Sequence, residues 1–441
     1  MFLTIITFLI ILSVLVFVHE LGHFLTARKF GVTAEEFGFG FPPRMLGIQV
    51  WREKKLEKIS EREEIKIEVE QIAESANSQI IRQTVADKIQ EIDQIKSVRK
   101  WRWLWGKHEL TGEDAKYGTV YSINWIPLGG FVKIKGENGP STSSGLVEDE
   151  DRDSFASRPI WQRFFMLAAG VTMNIVLAIF LIIIGYMIGL PQVIDKSDPR
   201  AIVSDEKLQV VQVIDQSPAA KAGLKIGDTI ISINDIKFTN FDDLQNYVAG
   251  HTDQPLNYKI KRGQDEFVKQ ITPELRPETG KGGIGIGITL TGIVRYPWYL
   301  AIWLGSKTTF TLVWAIILAF YQLIKGLLVG AGVSAELAGP VGIAVLTGEV
   351  ARMGFIYILQ FTALLSINLA IINFLPIPAL DGGRALFLAI EKIKGAPVKR
   401  EIENLIHNIG FVLLMILVLL VTFHDLTRFG DVFRNVWNRI F

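Results

Sequence analysis

Long apolar runs separated by polar segments organise this chain. Five of these runs approach or exceed the roughly 20 mainly apolar residues that a helix needs to cross a bilayer. We predict membrane-associated helical segments over residues 1–27, 160–190, 297–330, 355–383 and 405–424. The pattern therefore predicts a polytopic α-helical membrane protein embedded in a lipid bilayer.

Two regions between the apolar runs have the pattern of β structure. Residues 117–136 hold two β-rich runs around Pro127–Gly130, which predicts a membrane-associated hairpin or small sheet. Residues 205–274 alternate short strands with helical segments and turns, which predicts an α+β domain. Gly38–Pro43 is rich in glycine and proline and predicts turns.

Residues 52–107 form a block rich in charged side chains. Up to Lys100, apolar positions recur every three or four residues without glycine or proline, which predicts one long amphipathic helix or a helical pair. The block fits either a cytoplasmic docking or dimerising arm or a solvated helical spacer. Its Trp-rich end, residues 101–107, predicts an aromatic belt at the membrane interface.

Composition narrows the function classes. With 46 basic and 45 acidic residues the net charge is +1, which gives no sign of a nucleic-acid partner. The chain has no cysteine, which excludes disulfides and thiolate metal ligands. Gly283–Gly287 superficially looks like a dinucleotide-binding loop, but no βαβ pattern surrounds it, so we predict no nucleotide cofactor.

The first apolar run contains a metal-binding motif. Residues 19–23 read H-E-x-x-H, and no charged residue precedes Glu20. On a helix, His19 and His23 lie one turn apart on the same face, where both imidazoles can bind one cation. Two imidazoles with an oxygen ligand suit catalytic Zn²⁺, and Glu20 is placed to act as the acid/base. Such residues are costly within a membrane span, so we interpret them as functional.

A catalytic zinc site needs a further ligand, and Asp381 is the best candidate. It follows the apolar run that begins at Phe355, in a segment with two prolines that continues into Gly382-Gly383. The prolines interrupt the helix and the glycines allow close backbone approach. Broken backbone at membrane depth is tolerated only inside protein or beside a water-filled cavity. Asp381 is therefore either a helix cap or a metal ligand, and the first motif favours the ligand.

The two motifs together, H-E-L-G-H and N-x-x-P-x-P-x-L-D-G-G, resemble those of the site-2 proteases, which are intramembrane zinc metalloproteases. The likeness is greatest to their bacterial regulator-of-sigma-E protease (RseP) branch and covers nearly the whole chain apart from the charged block. It implies Zn²⁺ held by His19, His23 and Asp381, with Glu20 as the catalytic acid/base. It also implies a role for Asn373 near the substrate backbone.

Two other places are candidates for substrate binding. A strand edge at Gly129 and Gly130 can hold an unwound substrate backbone, although a purely structural hairpin is the alternative. In the second span, Gly170 and Asn174 form a G-x-x-x-N pattern suited to close helix packing, and the resembled family has a similar pairing. Asn174 therefore either lies near the site or serves packing alone.

The domain at 205–274 resembles a PDZ domain of the protease-associated type. It can bind peptides by strand addition or act as a size filter over the active site. Arg28 and Lys29 orient the first span with its histidines toward the cytoplasm, so the second span leads outward and the PDZ domain lies outside. A crossing at 297–330 would carry Asp381 to the outer side, half a membrane away. We therefore predict about four spans, with 297–330 as an interfacial or re-entrant amphipathic helix.

The resemblance implies hydrolysis of peptide bonds in or near the transmembrane segments of membrane proteins. Its setting would be regulated intramembrane proteolysis in a bacterial inner membrane, with an anti-sigma factor or a signal-peptide remnant as substrate. Two alternatives are a metal transporter and a proteolytically inactive PDZ scaffold. The first does not explain Glu20 or the PDZ domain, and the second would need a defective motif.

Overall fold

The computed structural model describes residues 2–53, 98–106, 118–137, 153–194, 199–263, 265–275, 280, 282–330 and 338–428. The chain divides into two compact units. The first unit comprises Leu12–Gly170 and Phe387–Arg400, and the second comprises Met1–Ile11, Val171–Leu386 and Glu401–Phe441.

The first unit joins the inner part of the first helix to a β-sheet. Its elements are α1 (Phe2–Lys29, from Leu12 onward), β1 (Ala34–Glu53), β2 (Val98–Trp105), β3 (Val120–Ile134) and the start of α2 (Ile160–Ile188). The strands form an antiparallel sheet in the order β2-β1-β3. Both helices are apolar around their circumference, as expected of membrane spans.

The strands β1 and β3 pair with each other along more than one stretch, because both strands change direction. Phe37 pairs with Val132 and also with Tyr121. Gly40 has a φ of 86°, which glycine adopts without steric cost. The residues Gly38–Pro43, where turns were predicted, lie within β1 at the place where the strand bends. The predicted β element at 117–136 is present as β3, in a three-stranded sheet rather than an isolated hairpin.

The helix predicted over residues 52–107 is wrong at both described ends. Arg52 and Glu53 belong to β1, and Val98–Trp105 forms β2, which pairs residue for residue with Leu46–Glu53. The alternation of Trp with other residues along β2 is strand periodicity, which puts the exposed Trp side chains on one face of the sheet. Residues 54–97, the centre of the predicted helix, lie outside the described residues.

The second unit contains an α+β domain. Its elements are β4 (Leu190–Val193), β5 (Ile202–Val213), α3 (Pro218–Lys221), β6 (Thr229–Ile233), α4 (Phe241–Gly250), β7 (Leu256–Arg262), β8 (Asp265–Ile271), β9 (Glu274–Leu275), β10 (Gly282–Gly283) and β11 (Ile286–Arg295). One sheet has the order β4-β11-β5-β6-β7-β8, and β9 pairs with β10. Val210, Ile233 and Tyr258 are fully buried in its core. The domain extends past the predicted bounds 205–274, because β4 and β11 complete its sheet.

The rest of the second unit is helical. Its elements are the start of α1, the end of α2, α5 (Trp298–Val329), α6 (Pro340–Met353), α7 (Phe355–Phe374), the start of α8 (Asp381–Lys394) and α9 (Arg400–Arg428). Ala178 and Ile182 of α2, Ala301 of α5, and Ala363 and Ile367 of α7 form a buried cluster. The small residues at this cluster let the helices approach closely.

Five described helices are long and apolar enough to cross a membrane. They are Leu3–Lys29, Ile160–Ile188, Trp298–Gly326, Phe355–Phe374 and Glu401–Arg428. The third of them is the segment predicted to lie in the interface. Its Gly305 packs on Ile183, and its Thr308 hydroxyl lies 2.9 Å from the hydroxyl of Tyr186. Both contacts fall in the last two turns of α2.

Candidate metal and catalytic site

The two histidines of the H-E-x-x-H motif lie together in the first unit. The Nε2 atoms of His19 and His23 are 3.2 Å apart, and both side chains are buried. Two imidazoles bound to a tetrahedral zinc at about 2.0–2.1 Å have nitrogens roughly 3.3–3.4 Å apart. The separation of the two ring nitrogens therefore fits a single zinc ion.

His23 is held in a tautomer that can bind a metal. Its Nδ1 lies 2.8 Å from the backbone carbonyl oxygen of Met166 in α2. Because a carbonyl only accepts, Nδ1 carries the proton and donates it, and the lone pair of Nε2 is directed to the other side of the ring. A partner of this kind fixes the ring orientation of metal-binding histidines.

Gly170 of α2 faces the same two imidazoles. A Cβ atom at this position would lie 2.4 Å from Nε2 of His23 and 2.7 Å from Nε2 of His19. These distances are far below van der Waals contact, so a side chain here would fill the space beside both nitrogens. The donor types, the tautomer and the space beside the ring nitrogens together fit zinc.

The glycines of β3 pack against the turn of α1 that carries Glu20. A Cβ atom on Gly130 would lie 2.7 Å from Cα of Phe17 and 3.3 Å from Cβ of Glu20. A Cβ atom on Gly129 would lie 2.6 Å from the side chain of Val16. Only glycine lets the strand backbone approach the helix this closely. The predicted substrate-binding glycines therefore lie beside the predicted acid/base.

Ser13, which was not predicted from the sequence, links β3 to α1 by hydrogen bonds. Its hydroxyl donates to the carbonyl of Pro127 at 2.8 Å and accepts from the amide of Gly129 at 3.4 Å. A signal was present, because Ser13 is a polar residue in an apolar run and lies two helical turns before Glu20 on the same face. Gly170 was identified for helix packing, and its position beside the imidazoles required the structure.

The part of β3 beside Glu20 is an edge of the sheet. Residues 130–133 pair with residues 36–39 on one side, and no described strand pairs with their other side. An apolar cavity of about 280 Å³ lies between Phe17 and sheet residues that include Phe37 and Trp103. An edge and a cavity of this type can accept an extended peptide and one of its apolar side chains.

The predicted third ligand, Asp381, belongs to the second unit. It is the first residue of α8, is partly buried, and follows the loop 375–380 that ends α7. Within this loop Ala379 has a φ of 78°, a conformation that disfavours side chains. A Cβ atom on Gly382 would lie 2.2 Å from the carbonyl oxygen of Leu375. Glycine at this position therefore permits the close backbone approach that the sequence predicted.

The two predicted asparagines also lie in helices of the second unit. Asn174 of α2 is fully buried, and its backbone carbonyl accepts a hydrogen bond from the Ser366 hydroxyl at 2.8 Å. Asn373 is partly buried in the last turn of α7. Substrate binding by either residue stays a prediction.

The chain matches the model of the family described as Peptidase family M50 over residues 7–58 and 98–417. It is 32% identical to the Regulator of sigma-W protease RasP of Bacillus subtilis, over 96% of this chain and 98% of the relative. It is 30% identical to the Zinc metalloprotease RasP of Geobacillus kaustophilus, over 97% and 98% of the two chains.

A solved structure is similar to a smaller part of the chain. The PDZ domain of the SdrC-like protein of Listeria monocytogenes is 25% identical, and the match covers 20% of this chain and 92% of that domain with a TM-score of 0.19. The family match leaves out residues 59–97, which fall inside the predicted charged block.

Proposed function

This chain belongs to peptidase family M50 and is a multi-pass membrane zinc metalloprotease, and we propose that it cuts peptide bonds in or beside transmembrane segments of membrane-protein substrates. The observation that carries this function is the buried pair of Nε2 atoms on His19 and His23, 3.2 Å apart, with Gly170 facing them. Polar side chains within a membrane span are costly unless they have a partner, so buried histidines in such a span indicate a functional site.

We propose that His19, His23 and Asp381 hold the zinc. An aspartate oxygen completes a set of two imidazoles in a way that leaves one position open for catalysis. The position of Asp381 at the start of α8, after a loop with two prolines and directly before Gly382 and Gly383, supports this assignment. When bound, zinc would polarise the scissile carbonyl and make water acidic enough to act as a nucleophile near neutral pH.

Glu20 is the proposed acid/base. It accepts the proton of the attacking water and returns it to the leaving nitrogen, so that no charged amide leaving group forms. Its position on the helical turn that packs against Gly130 supports this role, because a peptide on the adjacent edge of β3 would lie next to its carboxylate. The proposed roles of Gly129 and Gly130 are to shape that edge.

A helical substrate must be unwound before its amides are accessible, because helical amides are hydrogen-bonded internally. Strand addition at residues 130–133 would hold the unwound segment by backbone hydrogen bonds. Asn373 and Asn174 are proposed to contact the substrate backbone from α7 and α2.

The PDZ domain is proposed to act as a size filter, since it supplies none of the proposed zinc ligands. Its removal should leave zinc binding intact and admit bulkier substrates.

For the physiological setting we propose regulated intramembrane proteolysis in a bacterial inner membrane. The Bacillus subtilis relative is named a regulator of sigma-W protease. An anti-sigma factor is therefore the proposed substrate class, with signal-peptide remnants as a second class of membrane-inserted peptide.

The proposed topology has four spans, with α5 along the outer leaflet. The contacts of α5 argue against a return crossing antiparallel to α2. Gly305 meets Ile183 and Thr308 meets Tyr186, so the contact moves toward the end of α2 as α5 proceeds. A helix that returned across the membrane antiparallel to α2 would show the opposite progression.

Single cysteines in this cysteine-free chain test the topology. Gly280→Cys and Ala338→Cys should both react with an impermeant thiol reagent from outside, whereas Lys394→Cys should not. Labelling at position 280 with protection at position 338 would mean that α5 crosses the membrane.

Substitution of Glu20 tests the function. Glu20→Gln should retain zinc at the wild-type stoichiometry and lower the cleavage rate by roughly 10²- to 10⁴-fold, the contribution of general acid–base catalysis. His23→Ala should lose both zinc and cleavage. The measurements are metal analysis of purified protein and proteomics of transmembrane fragments in cells. Ordinary turnover by Glu20→Gln would contradict the mechanism.

A further inference from the structure

We propose that His407 of α9 is a positioning residue that holds the loop before Asp381 in the conformation needed for metal binding. The inference rests on the proposed role of Asp381 as a ligand. The observation behind it is a hydrogen bond from the backbone amide of Ala379, two residues before Asp381, to Nδ1 of His407 at 2.9 Å.

The loop 375–380 has a limited number of backbone amides that can donate hydrogen bonds. Pro376 and Pro378 have no amide hydrogen to donate. The amides of Ile377 and Leu380 donate to loop carbonyls, at 2.7 and 3.2 Å. The amide of Ala379 donates to a side chain of another helix. His407 thus accepts a hydrogen bond that links this loop to α9.

Ala379 is under conformational strain at the same point. Its φ is 78°, and the other described non-glycine residues with positive φ are aspartate, asparagine or glutamine. Asparagine and aspartate side chains can hydrogen-bond locally to support such a backbone, whereas alanine has only a methyl group. The conformation therefore persists only because surrounding groups impose it.

A second residue of α9 acts on the same loop. Gly410 lies one turn after His407, and a Cβ atom on it would be 2.3 Å from Cβ of Pro378 and 2.9 Å from its carbonyl oxygen. One face of α9 therefore contacts two successive loop residues, Pro378 by close packing and Ala379 by a hydrogen bond. The last span is in this way a support for the loop that presents Asp381.

The hydrogen bond also defines the state of the imidazole. The amide of Ala379 is the donor, so Nδ1 of His407 is the acceptor and carries no proton. The side-chain oxygen of asparagine can occupy the position of Nδ1. The oxygen of glutamine reaches the position of Nε2 instead. Asparagine should therefore replace His407 and glutamine should not.

The experiment measures zinc affinity by chelator competition, together with zinc stoichiometry, on purified full-length variants. His407→Ala and His407→Gln should bind zinc roughly 10- to 100-fold more weakly, the usual effect of removing an outer partner of a metal ligand. His407→Asn should stay within about threefold of wild type. His424→Ala, an exposed histidine on the same helix, is the matched control and should not change affinity.

A second substitution separates positioning from general destabilisation. Glycine adopts a positive φ without strain, so Ala379→Gly in the His407→Ala background should recover part of the lost zinc affinity. Equal affinity of His407→Ala and wild type would overturn the inference. So would equal loss in the Asn and Ala variants, or no recovery with glycine. If His407→Ala does not fold, the Asn and Gln variants make the same comparison.

Asp381→Ala in the same panel separates the two hypotheses. Full zinc binding by Asp381→Ala would contradict the proposed ligand set itself. Loss of zinc in Asp381→Ala together with unchanged affinity in His407→Ala would contradict only the role of His407.

Discussion

In α1, an unbroken helix carries His19 and His23, and the regular spacing of one turn brings their Nε2 atoms to 3.2 Å. In the second unit, Asp381 follows a loop in which two prolines end one helix and Ala379 takes a φ of 78°. The first segment carries two predicted ligands and the second carries one. The first does so by local helix geometry and the second by contacts with glycines and with another helix.

The two segments differ in what a substitution would change. A helix of this length keeps its hydrogen bonds within itself, so substitutions around His19 and His23 should change the chemistry without changing the backbone. The loop depends on Gly382, which lies in α8, and on His407 and Gly410, which lie in α9. Changes there should alter the position of Asp381 while leaving the ligand itself intact.

The largest effect is expected where a side chain blocks the space beside the ring nitrogens of His19 and His23. Gly170→Val should abolish zinc binding and proteolysis, because its side chain would fill the space beside both ring nitrogens. Metal analysis and cleavage of a membrane-inserted reporter measure this. Val176→Leu, at an exposed position of the same helix, is the control. Retention of zinc at the wild-type stoichiometry by Gly170→Val would contradict the assigned position of the ion.

A smaller effect is expected in the loop. Gly382→Ala would bring a methyl group to 2.2 Å from the carbonyl oxygen of Leu375, so the loop must shift. Overpacking of this kind costs about 1–3 kcal/mol, which corresponds to roughly 5- to 150-fold in zinc affinity if Asp381 is displaced. Gly250→Ala meets no atom within 4 Å and serves as the control. Unchanged zinc affinity in Gly382→Ala would show that the loop adjusts freely.

An effect on substrate binding alone is expected at the contact between α1 and β3. Ser13→Ala removes the hydrogen bonds to Pro127 and Gly129, a loss of about 1 kcal/mol. We expect KM to rise roughly fivefold with zinc content unchanged. Ser13→Thr keeps the hydroxyl and should behave as wild type. A fall in zinc content in Ser13→Ala would mean that the contact supports the metal site instead.

The smallest effect is expected at the periphery of the first unit. Asp153 is partly buried, which opposes ionisation, but hydrogen bonds from Lys135 and Thr33 outweigh this and hold its pKa below the usual 3.8. Its stabilising effect is therefore present above about pH 4 and is lost as the pH falls through the lowered pKa.

Asp153→Asn should lower the free energy of unfolding by less than about 1 kcal/mol at neutral pH, since solvent screens this partly exposed ion pair. Thermal unfolding between pH 7 and pH 3 measures it, and the two proteins should converge at the acidic end. A difference that grows toward pH 3 would contradict the sign.

The helical spans, the H-E-x-x-H pair and the α+β domain were accessible from sequence. Their signals are local, since apolar length, the spacing of His19 and His23 and the alternation of short strands all act within one element. The same reasoning failed on Val98–Trp105, because helical and strand periodicities are both satisfied by short charged and aromatic runs until a partner strand is known. Pairing with Leu46–Glu53 decides in favour of the strand.

Other features depended on the tertiary structure because their causes lie far apart in the chain. Gly170 is an ordinary packing glycine in sequence, and it acquires its second role from two imidazoles about 150 residues earlier. Ala379 gives no signal of positive φ, because neighbouring backbone and His407 impose that conformation. Close packing and hydrogen bonds between distant segments have no periodicity, so they can be seen only after the chain has folded.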